Sequence, residues 1–224
     1  MPIVRTGIKG FDEMIEGGLP KGSITIVSGP TGSGKTLLAL QFLHHGIMEG
    51  EPGFYISFDE RKRLLYRNVA RFGWNFQQFE NEKKFVFIEY PIHEASEFIA
   101  QEGTLFNLVV ELGIERLVID PITPFFLLYE SDQKRREGLM KIINTLRSWG
   151  CTTLLTAEEG TDLSKVEPLC DGAIRLHDIR KENYKIRAVE VVKMRGVAHT
   201  TKLCPMKITS EGVEVYPNLY LFEE

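Results

Sequence analysis

The run Gly29-Pro30-Thr31-Gly32-Ser33-Gly34-Lys35-Thr36 carries a glycine, four residues and then Gly-Lys-Thr. It stands between an apolar run at residues 23–28 (SITIVS) and a segment of helical periodicity that opens at Leu37. Glycines in this pattern let the backbone turn several N–H groups toward one point, and a following helix start adds its positive end. Lys35 supplies a mobile cation for the β- and γ-phosphates, Thr36 a hydroxyl for Mg²⁺, and Leu37 completes the binding segment. The chemistry implied is the binding of a nucleoside triphosphate.

Such a loop needs carboxylates at neighbouring strand ends. Asp120 closes the apolar run RLVID, where a carboxylate holds the water shell of Mg²⁺. Asp59 and Glu60 leave the end of a second apolar run, residues 54–58 (FYISF), and one of them suffices to polarise the water that attacks a γ-phosphate. The same acids would also suit a helix start, so position alone leaves their role open. Further on, residues 187–193 alternate (RAVEVVK), which puts Lys193 and Arg195 on one side of a continuing strand. Two converging cations fit an arginine-finger role toward a neighbouring subunit's nucleotide, but a charged, solvated strand edge explains them as simply.

Positioning these groups is the work of alternating strands and helices. Strands are expected at residues 23–28, 54–58, 84–90, 116–119 and 152–156. Helices are expected at 37–49, from 61 to about 72, at 95–112 and at 133–149, most of them stopped by glycine. That order predicts an α/β fold with a mostly parallel sheet and helices on both faces. Residues 172–216 read as antiparallel strands and hairpins, and residues 1–224 as one domain. The 224 residues are 43% hydrophobic, enough to bury a core, and the 27 basic against 31 acidic residues leave a net charge of −4. That balance gives no overall basic field for nucleic acid. No apolar run is long enough for a membrane span and the N-terminus has no signal-like apolar stretch, so a cytoplasmic protein is expected. Cys151, Cys170 and Cys204 show no metal or disulfide spacing and read as buried thiols; the adjacent His44 and His45 read as surface or locally bonded. Trp74 and Phe76 read as packing on a helix end.

Taken together, RTGIKGFDEMIEGGLPKGS, GPTGSGKT, GEPGFYISFDE, LVIDPIT and KMRGVAHT, in this order, resemble the KaiC-like ATPases of the RecA superfamily, close to archaeal RadA-like paralogues. The resemblance covers about residues 5–216. It implies a RecA-like core, ATP with Mg²⁺, and a homo-oligomeric ring, commonly a hexamer, with nucleotide at each subunit interface. It places the hydrolytic base on Asp59 and Glu60, the trans-acting cations on Lys193 and Arg195, and a γ-phosphate sensor on Thr156. The family usually has two glutamates where this chain has Asp59 first, so slow hydrolysis, or a base at Glu60, is expected. Circadian timing and autokinase activity are not carried over, and a protein partner is left unnamed.

Three rival readings remain. A DNA-binding recombination or repair ATPase would place loops at residues 157–171 and 121–137 against a phosphate backbone. The first loop sets Glu158, Glu159, Asp162, Glu167 and Asp171 against Lys165 alone, which repels DNA, and Lys134-Arg135-Arg136 in the second is flanked by acids. A small-molecule phosphotransferase would use residues 61–71 as a basic lid, but Leu64, Leu65 and Val69 there fit an amphipathic helix with a wet basic face. A nucleotide-gated scaffold with little turnover is the third.

Overall fold

The computed structural model describes residues 2–180, 184–219 and 221. Its strands are β1 (Ile3–Val4), β2 (Leu19–Pro20), β3 (Ile24–Gly29), β4 (Gly53–Ser57), β5 (Phe85–Glu89), β6 (Arg116–Asp120), β7 (Thr152–Glu158), β8 (Gly172–Arg180), β9 (Lys185–Met194), β10 (Cys204–Ile208) and β11 (Val213–Val215). Its helices are α1 (Lys35–Met48), α2 (Lys62–Ala70), α3 (Phe76–Asn81), α4 (Ala95–Ala100), α5 (Glu102–Leu112), α6 (Thr123–Leu127) and α7 (Asp132–Ser148). Among the described residues, nine strands form one sheet in the order β11-β10-β9-β8-β3-β7-β6-β4-β5, and β1 pairs with β2 apart from it.

From β8 across to β5 the strands run parallel, and β9, β10 and β11 extend the sheet as antiparallel ribbons. The two-residue period of each strand divides its side chains between two cores. On β4, Tyr55 joins α1, α2 and α3 on one face, while Phe54 and Ile56 meet Phe98 of α4, Leu105 of α5 and Leu139 of α7 on the other. Helices thus cover both faces of an α/β sheet, as expected.

Three differences are informative. The 95–112 helix is broken at Gln101 into α4 and α5. The 172–216 region is not wholly antiparallel: β8 lies parallel to β3 on one edge and antiparallel to β9 on the other. The chain crosses over to that position through the short turns Leu163–Lys165 and Glu167–Leu169, so no helical periodicity announces the crossover. Residues 181–183 within this region lie outside the described residues. Finally, His44 and His45 are half-buried packing residues rather than surface groups. His44 stacks on Trp74 at 5.0 Å, and burial pushes its imidazole down to about 4. The three cysteines are buried and free, as expected.

Candidate functional site

The parallel strands β3, β4, β6 and β7 bring chemistry to the site at their carboxyl ends, where parallel α/β sheets open a crevice. β3 ends at Gly29 and feeds the phosphate loop into α1. Gly34 closes that loop at φ +105°, a backbone conformation that any side chain would strain, although a Cβ there would meet only the tip of Ile208, at 3.5 Å. Lys35 donates to the carbonyls of Gly29 (2.8 Å) and Pro30 (3.0 Å). Burial draws its ammonium below the usual lysine value, opposed by Asp120, Glu158 and Glu159.

Asp120, nearly buried at the end of β6, is the hub. Its Oδ2 accepts the hydroxyls of Thr36 (2.7 Å) and Tyr55, and its Oδ1 accepts that of Thr156. Thr36 and Asp120, both expected at Mg²⁺, thus touch each other, and Thr156 on the next strand touches the same carboxylate. Among the described residues no cluster of three His, Cys, Asp or Glu could hold a metal by itself. One carboxylate and one hydroxyl, both hard oxygens beside a phosphate loop, nonetheless fit Mg²⁺, which takes few protein ligands and completes its shell with water and phosphate.

Asp59 and Glu60 follow β4 and line the same cleft, whose volume is about 590 Å³. The Ser57 hydroxyl donates to the Glu60 carbonyl (2.7 Å) and fixes this turn. Asp59 is exposed, whereas Glu60 is half-buried. Burial, then Asp120, then Asp59 hold the Glu60 carboxyl above the usual glutamate value.

Several cleft residues were not singled out from the sequence. Arg67, Asn68 and Arg71 of and after α2, with Phe72, line it, so the basic face of that helix is not simply wet. Glu158, read from the sequence only as part of an acidic loop, lines it from the end of β7. Arg187 of β9 donates to the carbonyl of Gly32 (3.3 Å). Tyr55 carried no legible signal, because its approach to Asp120 depends on the pairing of β4 with β6. Arg187 carried none, because its approach depends on the β8–β9 pairing.

Lys193 and Arg195 do converge, but away from their own chain's phosphate loop. Lys193 Nζ donates to the Glu167 carbonyl (2.6 Å) and Arg195 to that of Pro168 (3.1 Å). Their strand end pairs with Gly172 and Ala173, beside the start of β3, while the loop follows the end of β3. Of the supposed DNA loops, Lys165 is tied to Asp132 (3.0 Å) and Asp162 (3.4 Å), and Arg135 to Asp132 (2.8 Å) and to the carbonyls of Phe126 (3.0 Å) and Tyr129 (3.1 Å).

A phosphate loop, a strand-end aspartate bonded to the loop threonine and a sheet of this order define a P-loop nucleotide-binding protein with a RecA-type core. A family model for the KaiC ATPase matches residues 4–220. A UPF0273 protein of Thermotoga maritima is 31% identical, with 96% of each chain covered. The circadian clock oscillator protein KaiC of Prochlorococcus marinus is 31% identical over 95% of this chain and 45% of its own, so the chain spans about half the length of these clock relatives. The solved structure of a KaiC-like protein from Pyrococcus horikoshii OT3 has a TM-score of 0.86 and 37% identity, covering 96% of this chain and 99% of that one. The chain belongs to the KaiC-like ATPase family. No helix among its described residues is long and apolar enough to cross a membrane.

Proposed function

We propose that this chain is a cytoplasmic, one-domain ATPase that binds ATP with Mg²⁺ and hydrolyses it slowly in a homo-oligomeric ring, commonly hexameric, with nucleotide at each subunit interface. The observation that carries the reading is the contact of Thr36 with Asp120 beside the phosphate loop. The loop amides from Gly29 to Leu37 hold the phosphates, and Lys35 leaves the carbonyls of Gly29 and Pro30 to pair with them. Thr36 and Asp120 would hold Mg²⁺, which supplies charge neutralisation on the phosphate oxygens. Glu60 orients the attacking water: it is the half-buried acid of the pair, while Asp59 is exposed. The shortened residue thus occupies the more exposed position. Arg187, already on the loop, supplies a cation from the same chain. Lys193 and Arg195 stabilise the developing charge on a neighbour's nucleotide, a role their distance from their own loop supports.

The acidic segment at 157–171, with Lys165 already paired, does not favour DNA. The test is steady-state ATP hydrolysis on the purified chain, with mass from light scattering, with and without single-stranded DNA. Turnover per chain that rises with assembly and ignores DNA is expected. Strong DNA stimulation would point to a recombination ATPase, and tight ATP binding without turnover to a nucleotide-gated scaffold.

A further inference from the structure

Tyr55 is fully buried in the middle of β4, and its ring stacks on Phe87 at 5.3 Å and 7°. On the same face stands Val118 of the neighbouring β6, paired directly with Tyr55, so packing alone would be met by a phenylalanine. Burying a phenol O–H is unfavourable unless the group finds an acceptor. The acceptor here is Oδ2 of Asp120, the oxygen that also receives the Thr36 hydroxyl.

The arrangement around Asp120 can be counted. A carboxylate offers about four lone-pair sites, two on each oxygen. Thr36 and Tyr55 take the two on Oδ2 and Thr156 takes one on Oδ1, which leaves one site on Oδ1. Thr36 can point a lone pair at a cation while its proton stays on Asp120, so that contact survives metal binding. Tyr55 and Thr156 are both fully buried and hold one oxygen each from within the sheet. Together they fix the rotation of the carboxylate about its own axis, a terminal torsion that is otherwise broad.

We propose that Tyr55 is a positioning residue for the metal. Its hydroxyl, acting through Asp120 and opposite Thr156, fixes the carboxylate plane so that the one unshared oxygen site faces a water of the Mg²⁺ shell. The proposal rests on the Mg²⁺-nucleotide reading of the site. Its consequence is specific: the phenol tightens the metal-dependent part of nucleotide binding and contributes nothing to the metal-free part, which belongs to the loop amides and Lys35.

The variant is Tyr55→Phe, which keeps the ring on Phe87 and leaves Oδ2 with Thr36, so the fold is retained; circular dichroism and a thermal melt verify it. Binding of a fluorescent, non-hydrolysable ATP analogue is measured first in EDTA and then against a Mg²⁺ titration, with Asp120→Asn in parallel. For Tyr55→Phe, the expected result is an EDTA affinity within about twofold of wild type and a Mg²⁺ midpoint raised on the order of tenfold, the scale of one lost hydrogen bond to a charged group. Asp120→Asn should lose most of the Mg²⁺ response. An unchanged Mg²⁺ midpoint in Tyr55→Phe beside a defective Asp120→Asn overturns the proposal and leaves the metal reading standing. An equal loss of affinity in EDTA also overturns it, since the phenol would then be supporting the cleft as a whole. A wild-type Mg²⁺ response in Asp120→Asn overturns the metal reading, and the proposal with it.

Discussion

If Lys193 and Arg195 act across an interface, two inactive chains should repair each other. Thr25 pairs with Gly172, whose partner on β9 is Met194, and the phosphate loop begins four residues on, at Gly29. At about 3.3 Å per residue that is roughly 13 Å of strand between the cations' strand end and their own loop. Both side chains are also held by the carbonyls of Glu167 and Pro168. Arg195→Ala should therefore keep nucleotide binding and lose roughly a thousandfold or more in turnover, the scale of a finger acting on a phosphoryl transition state. The Asp59→Asn, Glu60→Gln double variant should bind nucleotide, keep its cations and be inactive for lack of a base. In a randomly mixed ring with head-to-tail interfaces, a site works when an Arg195→Ala chain holds the nucleotide and a base-deficient chain follows it. At equal proportions that is one half times one half, about a quarter of wild-type turnover per interface. Phosphate release is followed at constant total protein while the ratio is varied, and mass spectrometry verifies that the rings are mixed. A dome with its maximum near equal proportions is expected. A straight line between the two inactive ends, in rings shown to be mixed, would refute the trans assignment.

Glu60→Gln should abolish turnover while Asp59→Asn leaves most of it, and the reverse ranking would move the base to Asp59. Because the Glu60 carboxyl is held above 4.5, chiefly by burial, its ionised form is disfavoured in the folded chain. That penalty is present above the folded value and relieved as pH falls through it toward 4.5. The acid limb of wild-type turnover should therefore lie above 4.5, and a limb at or below 4.5 would contradict the assignment. Thr156→Val removes the donor to Asp120 Oδ1 from a fully buried site and should cost about 1–3 kcal/mol in urea unfolding as well as turnover. Gly46 lies against the buried Arg116, which binds Glu51 (2.6 Å) and the Phe42 carbonyl (2.7 Å); an added Cβ would fall 2.2 Å from its Nε. Gly46→Ala should displace that guanidinium and cost about 3–5 kcal/mol, with part regained in Gly46→Ala, Arg116→Met; a loss under about 1 kcal/mol would show that the arginine can yield.

What could be read in the sequence was whatever is local. The phosphate loop is eight consecutive residues with its strand and helix attached, and Asp120, Asp59 and Glu60 each close or follow an apolar run, so their place at a strand end was visible without knowing the sheet order. The short helices α3 and α6 span six and five residues, less than two turns, and no periodicity can show over that length. The residues missed at the site share another property: each is brought there by register rather than by motif. Tyr55 reaches Asp120 because β4 and β6 pair with Ser57 opposite Asp120, which sets a phenol two residues earlier on the same face. Arg187 reaches Gly32 because β8, carried over by the turns at Leu163–Lys165 and Glu167–Leu169, brings β9 with it to the flank of β3. The second of those turns holds the carbonyls that anchor Lys193 and Arg195. The segment that begins at Glu158 in one nucleotide cleft therefore ends beneath the cations assigned to the neighbour's. A single covalent stretch thus runs from the cleft-lining Glu158 to the carbonyls that hold Lys193 and Arg195.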